Sequence, residues 1–310
     1  MIRLLMFGHD ATRSGAPKIF FDLCMYFMHY FEIQVVMLKK GNMKEMFSQY
    51  FDVIYLDDNS DKNKFELATE LIKKYRPDLV FANTIATYEC AYAAKVNNIP
   101  VIMSVYELQD DFDYVFAGNV PKNINEVADY YVVNSELVRT YLLTKINCAD
   151  KKIIYIPCFV SSSEIKMLAR EKTRGQVRKE LGIPNNNYVV MNIANCTPKK
   201  GIDVYIDSFI SLRSKGHNDI SFVSIGAYDM EYIKTFSKDV CRMDKGFLFL
   251  GEKSNPYQYL SGADIFLFPS RSDSFGLVVL ASMILEIPTI VFEQGCGLSK
   301  IVREGKYGIG

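Results

Sequence analysis

Two adjacent lysines meet a helix start in Asn195-Cys-Thr-Pro-Lys199-Lys200-Gly201. Cations sit poorly beside the positive end of a helix dipole, and an anionic ligand relieves them. The segment reads as a phosphate site carried by Lys200 and secondarily by Lys199. It reads otherwise as one solvent-facing lysine and one paired with a nearby carboxylate. A second loop, Ser270-Arg-Ser-Asp273-Ser274-Phe275-Gly276-Leu277, stands between a short apolar run and an apolar helix. Backbone N–H groups of Ser274, Gly276 and Leu277 there are a seat for an anion, and Asp273 is able to accept a ligand hydroxyl. Helix capping alone also accounts for Asp273 and Ser274. A third loop, Glu293-Gln-Gly295-Cys-Gly297-Leu298, places two glycines before a helix. They suit close backbone approach to a ligand, or a plain flexible turn. The three loops together are far more specific than any one.

Two further loops in the first half carry polar chemistry. After the apolar run Val101–Val105 come Glu107, Asp110, Asp111 and Asp113. Carboxylates just past a strand end serve acid/base work or bind hydroxyls. Glu107, closest to the strand, is the candidate; the three aspartates read as a solvated acidic loop. The segment Gly8-His-Asp-Ala-Thr-Arg-Ser-Gly15-Ala16-Pro17 is not GxGxxG, so the dinucleotide fingerprint is absent. It reads equally as a tight turn before a helix with Pro17 in its first turn, and as a ligand loop at a sheet mouth.

The elements that must position these loops follow from apolar periodicity. Expected strands are Ile2–Phe7, Ile33–Leu38, Val53–Leu56, Leu79–Ala82, Val101–Val105, Tyr130–Val133 and Ile153–Ile156, then Tyr188–Ile193, Ile220–Ile225, Phe247–Leu250, Ile265–Phe268 and Thr289–Phe292. Helical patterns alternate with them, among them Pro17–Tyr30, Lys64–Tyr75, Glu136–Thr144, Ile202–Arg213, Glu231–Val240 and Gly276–Leu285. The order predicts an α/β chain of two tandem Rossmann-like, doubly wound parallel-sheet domains, 1–160 and 161–310, with a cleft between facing sheet ends. Ser161-Ser162-Ser163-Glu164 reads as linker and helix cap. The stretch Glu164–Leu181, with Lys166, Arg170, Lys172, Arg174, Arg178 and Lys179, reads as one solvated basic helix, with anionic lipid as the alternative contact. The chain stops where Lys306–Gly310 starts another strand, so the second domain reads as C-terminally incomplete.

Composition excludes several classes. The 310 residues carry 36 basic against 36 acidic side chains, without the basic excess of a nucleic-acid binder. Cys24, Cys90, Cys148, Cys158, Cys196, Cys241 and Cys296 are widely spaced and odd in number, which predicts reduced, mostly buried thiols. His9, His29 and His217 lack metal-ligand spacing, so no metal site is expected. No run approaches the length of a membrane span, and the N-terminus is too short for a signal peptide. A soluble, cytoplasmic chain is expected, with peripheral contact at the inner face of the membrane left open.

The stretches PKKGIDVYIDSF, ADIFLFPSRSDSFGLVVLASM and IPTIVFEQGCGLSKIV resemble the second domain of family 4 retaining glycosyltransferases (glycosyl transferases group 1), of the GT-B fold. HDATRSGAP and IPVIMSVYEL are similar to first-domain loops of a subset of that family. The resemblance implies a nucleotide-diphosphate sugar as donor substrate on the second domain, a saccharide or lipid-linked acceptor from the first, and a role in cell-surface polysaccharide or glycolipid synthesis. It implies no cofactor. By position, Lys200 matches the lysine that neutralises the diphosphate, Asp273 the first glutamate of a paired-glutamate motif facing the sugar, and Phe275, Gly276, Leu277 and Val278 the helix start that receives the phosphates. Gly15 and Ala16 match the first-domain loop that closes on the diphosphate, and Glu107 the acceptor-side loop. The chain departs from the pattern at Asn195, where an arginine is usual, at Ala281 for the second glutamate, and at Tyr106 for a histidine. Those departures also admit a non-catalytic GT-B partner or scaffold.

Overall fold

The computed structural model describes residues 1–12, 14–57, 62–236, 246–306 and 308–309. Two compact units divide the chain, Met1–Cys158 and Phe159–Gly310. Unit 1 holds β1 (Arg3–Asp10), β2 (Glu32–Lys39), β3 (Val53–Tyr55), β4 (Leu79–Asn83), β5 (Val101–Val105), β6 (Tyr130–Val133) and β7 (Ile153–Tyr155). Its sheet has the order β3-β2-β1-β4-β5-β6-β7, and every pairing is parallel. Unit 2 holds β8 (Tyr188–Ile193), β9 (Ile220–Ile225), β10 (Phe247–Phe249), β11 (Ile265–Phe268), β12 (Thr289–Val291) and β13 (Gly308–Ile309). Its order is β10-β9-β8-β11-β12-β13, again all parallel.

Continuous apolar strands mean sheets covered on both faces. In β1, Leu5 and Phe7 join Val80, Ala82 and Met103 in one buried layer. Leu4 and Met6 turn the other way, onto Phe20, Phe21 and Cys24 of the helix Gly15–Phe27. In unit 2 the β8–β9 face packs on the helix Ile202–Ser214 through Tyr205 and Phe209. The Tyr205 hydroxyl reaches Val190 O and Val223 O, each at 2.9 Å, which satisfies the polar end of a fully buried ring.

The strand orders reverse between β1 and β4 and between β8 and β11. Open α/β sheets take ligands outside the strand carboxyl ends at these switch points. In unit 1 the flanking loops follow Asp10 and Asn83. In unit 2 they are Ala194–Gly201 and Pro269–Gly276, which carry the lysine pair and the Asp273 loop.

The expected elements recur with shifts at their ends, and three expectations are corrected. The basic stretch Glu164–Leu181 is two helices, Ser162–Ala169 and Arg174–Glu180. Thr173 and Gln176 form a reciprocal capping box that starts the second helix and breaks the run. Nor is that run all solvated, since Arg178 is only 1% exposed. The aspartates after Glu107 lie on a helix, Gln109–Val115, whose first turn Asp111 caps by accepting from the Leu108 N–H at 3.1 Å. The apolar helix of the second loop starts at Leu277, with Gly276 outside it at φ 93°. The expected helix Glu231–Val240 is observed as Met230–Phe236, its remainder lying outside the described residues, as do Cys241, Arg13, Tyr307 and Gly310. Cys24, Cys90, Cys148, Cys196 and Cys296 are free, buried thiols, and Cys158 is a half-buried thiol. Among the described residues no helix is long and apolar enough to cross a membrane.

Candidate functional site

Within unit 2 the three sequence loops come together. Thr197 accepts from the Lys200 N–H and caps the short turn Pro198–Lys200. That turn aims Lys200 across to the neighbouring loop, where its Nζ stands 2.5 Å from Asp273 Oδ2. The ammonium also lies over the Phe268 ring at the end of β11, 5.7 Å from its centroid. The second Asp273 oxygen accepts from the Phe275 N–H at 3.1 Å. Both carboxylate oxygens are thus engaged locally, and Asp273 does not cap the helix Leu277–Ile284. Of the two lysine readings, the ion pair is what this structure contains.

The third loop is tied to the second by its backbone. Asp273 N–H donates to Gly295 O at 2.8 Å, and Gly297 N–H donates to Asp273 O at 3.1 Å. The close approach that Gly295 permits is to the protein itself, because a Cβ there would lie 1.9 Å from Ser270 O. Gly276 needs its left-handed backbone, and a Cβ on it would meet Cys296 Sγ at 2.5 Å. The Cys296 thiol, pushed up to about 12 by burial and the Asp273 charge, stays protonated and sits 3.1 Å from Phe275 O. Lys200, Asp273, Ser274, Phe275, Gly276, Leu277, Val278, Gly295 and Gly297 therefore belong to one loop cluster at the switch point. Asn195 faces elsewhere: its Oδ1 accepts from the Ala227 N–H at 3.0 Å and ties the β8 loop to the β9 loop.

Residues missed in the sequence hold the cluster in place. Arg271 grips Asp203 in a two-pronged pair at 2.7 and 2.5 Å and donates to Pro198 O at 2.7 Å. Its N–H and the fully buried Ser270 hydroxyl both donate to Lys199 O, at 2.8 and 3.2 Å. The Pro198–Lys200 turn is thus clamped from the side that carries Asp273. Asp203, in the first turn of its helix, has its carboxyl held below the usual range by the guanidinium. An Arg and an Asp 68 residues apart leave no short motif, so the pairing had no sequence signal.

In unit 1, Gly15 and Ala16 open the helix Gly15–Phe27, where Ser14 makes no side-chain cap and no acidic residue occupies the first turn. Glu107 accepts from the Tyr106 N–H at 2.8 Å. The residue keeps some accessible surface, yet its carboxyl is enclosed, and burial pushes its pKa from 4.5 up to about 7. Burial raises the Tyr106 phenol as well. Among the described residues no group of three or more His, Cys, Asp or Glu converges as a metal site would.

Glu107 predicts a pH dependence of stability. A carboxyl whose folded pKa lies above its unfolded value binds more protons when folded. Its contribution is fully present below pH 4.5 and is lost as pH rises through about 7. The full span is at most about 3 kcal/mol. Urea unfolding at pH 5 and pH 8 should show the decline in the native chain and a smaller one in Glu107→Gln, whose amide oxygen still accepts from Tyr106. Equal slopes in both would remove Glu107 as the cause.

Residues 173–309 match the family model for glycosyl transferases group 1. Over 128 residues the chain is 33% identical to the O-antigen biosynthesis glycosyltransferase WclY of Escherichia coli, covering 38% of this chain and 35% of that one. It is 26% identical over 192 residues to the alpha-galactosylglucosyldiacylglycerol synthase of Streptococcus pneumoniae, covering 59% and 48%. The matched segments thus span less than half of these relatives' lengths. In fold, the chain is similar to Anabaena HepE in complex with UDP and glucose, with TM-score 0.79, 17% identity, and 97% and 83% of the two chains covered. It is also similar to WaaG, a glycosyltransferase involved in lipopolysaccharide biosynthesis, with TM-score 0.74, 11% identity, and 98% and 85% covered. The architecture is GT-B.

Proposed function

We propose that this chain, whose residues 173–309 match the family model for glycosyl transferases group 1, is a member of that family and a retaining glycosyltransferase. It moves a sugar from a nucleotide-diphosphate donor to a saccharide or lipid-linked acceptor in cell-surface polysaccharide or glycolipid assembly. The carrying observation is the Lys200–Asp273 pair, set at the switch point of the matched unit beside the start of the helix Leu277–Ile284. A diphosphate entering there exchanges Asp273 for phosphate oxygens as the partner of Lys200. Lys200 and the amides of Gly276, Leu277 and Val278 then stabilise the charge that develops on the leaving nucleoside diphosphate. Asp273, once released, faces the donor sugar. An acceptor hydroxyl attacks the same face of an oxocarbenium-like sugar, which retains the anomeric configuration. No metal or cofactor is part of this reading.

UDP in the complex of the HepE neighbour makes uracil the first base to try. Calorimetric titration of the full chain with UDP-, GDP- and ADP-sugars should show binding of at least one, and NMR of the product should show the donor's anomeric configuration kept. No binding of any nucleotide sugar sinks the proposal. A second reading, a non-catalytic GT-B partner, is favoured by Ala281, fully buried where the family resemblance expects a carboxylate. Saturable donor binding without transfer or hydrolysis, with co-purification of an active transferase, would select it.

A further inference from the structure

We propose that Arg271 is a positioning residue for sugar transfer: it locks the Pro198–Lys200 turn and takes both oxygens of Asp203, and so holds the Lys200 ammonium for the donor diphosphate. The inference rests on the transferase reading and adds to it a residue that acts through Lys200.

Lys200 is hard to place by itself. Its ammonium ends a flexible stem with more rotamer freedom than most side chains. It precedes the helix Ile202–Ser214, where the positive end of the dipole favours acids over lysines. A cation that stabilises a leaving group works best when it is in position before the charge develops. Reaching across to the loop of Asp273 therefore needs a rigid base.

That base is fixed residue by residue. Arg271 Nη1 donates to Pro198 O at 2.7 Å. The Arg271 N–H and the Ser270 hydroxyl donate to Lys199 O at 2.8 and 3.2 Å. Thr197 O accepts from the Lys200 N–H at 3.0 Å. Gly201 turns through φ 69°, and a Cβ on it would lie 1.9 Å from Pro269 O, so the backbone after β11 packs directly against it. Pro198, Lys199 and Gly201 are thus all held by the loop that follows β11, and the Lys200 side chain crosses to Asp273 on that same loop.

The guanidinium has a second task. Asp203 is the acid nearest to Lys200 along the chain and stands in the first turn of its helix. Arg271 occupies both its oxygens, Oδ1 at 2.7 Å and Oδ2 at 2.5 Å. A two-pronged pair is the exception among exposed ion pairs, most of which hold little. The two side chains keep 46% and 33% exposure, so they carry no part of the buried core. The planar fork meets a carboxylate and a carbonyl together, as an ammonium does not. With Asp203 engaged, Lys200 is left to Asp273 and, once a donor enters, to phosphate oxygens.

Four variants test this: Arg271→Ala, Asp203→Asn, the two combined, and Arg271→Ala with Lys200→Met. Calorimetry with UDP, and steady-state kinetics with whichever UDP-, GDP- or ADP-sugar titrates, give Kd, KM and kcat. The carboxyl carbon resonance of Asp273 in the free protein, assigned through Asp273→Asn, reports the Lys200 contact without any nucleotide. Arg271→Ala should lower kcat about tenfold or more, with a smaller change in KM and little change in melting temperature. It should move the Asp273 resonance toward its position in Lys200→Met. Asp203→Asn keeps Arg271 on Pro198 O and opens no rival acid, so it should lower kcat less, and adding it to Arg271→Ala should restore part of the loss. On Lys200→Met, Arg271→Ala should cost nothing further, because a residue that acts through Lys200 has nothing left to act on. A purely structural pair predicts equal losses in the two single variants, no restoration when they are combined, and losses that add to that of Lys200→Met. Any of these, or an Asp273 resonance unmoved by Arg271→Ala, overturns the inference. A native chain that binds no nucleotide sugar sinks the transferase reading alone, and the Asp273 resonance still decides whether Arg271 places Lys200.

Discussion

Replacing Lys200 by methionine is expected to weaken nucleoside diphosphate binding about 10–100-fold and to slow sugar transfer by a further factor of about 10²–10³. The expectation rests on where Lys200 stands, its ammonium set between the two loops, with Lys199 beside it in the chain as the other candidate cation. Asn195 is neutral and spends its side-chain oxygen on the Ala227 N–H. Arg271 is committed to Asp203 and to Pro198 O. Lys200 is aimed between the two loops, and methionine keeps an unbranched apolar side chain there while removing the charge. Asp273→Asn separates this from a structural role. It removes the carboxylate that holds Lys200 at 2.5 Å, so diphosphate binding should hold or tighten while transfer falls. Calorimetry with UDP and a donor-consumption assay on both variants read the two effects apart. If both variants lose stability equally and neither changes affinity, the pair is a strut and the donor site lies elsewhere.

Much of this arrangement was legible in the sequence, and what was not shares a cause. Apolar runs such as Ile265–Phe268 and Tyr188–Ile193 carry their own boundaries, because a parallel strand buried on both faces admits little else. The polar loops between them stand at strand carboxyl ends by the same alternation, so Lys200, Asp273 and Gly295 could be grouped before any coordinates. Their partners could not. Lys200 and Asp273 are 73 residues apart, and only the β8–β11 pairing makes them neighbours. A Cβ on Gly295 would meet the Ser270 backbone, a contact between two loops that the sequence does not announce. Arg178 was lost in a run of basic residues that capping at Thr173 cuts in two.

Arg178 is where the largest loss of stability is expected. It lies on the helix Arg174–Glu180 at 1% exposure, and a buried guanidinium survives only when its donors are met. Nη1 donates to Asn185 O at 2.8 Å and Asn187 O at 2.7 Å, Nε to Gly262 O at 3.3 Å, and Nη2 to Asp264 Oδ2 at 2.6 Å. The same Asp264 oxygen accepts from the Val189 N–H at 2.7 Å, and the other takes Arg174 at 2.5 Å. One side chain thereby joins a helix to the starts of β8 and β11, the two strands whose far ends carry the loop cluster. Arg178→Ala removes the fork, takes one of the partners of Asp264 Oδ2 and leaves the Asn185, Asn187 and Gly262 carbonyls without that donor, at a cost of about 3–5 kcal/mol. For a unit of this size that lowers its melting temperature by about 10 °C. Arg178→Lys restores charge but not the planar fork and should recover only part of the loss. Calorimetric scans resolve the outcome, since the unit 2 transition should move while that of unit 1 stays. A shift of less than about 1 kcal/mol in Arg178→Ala would mean that Arg174 alone suffices to hold Asp264, and that the fork adds little to what packing already supplies.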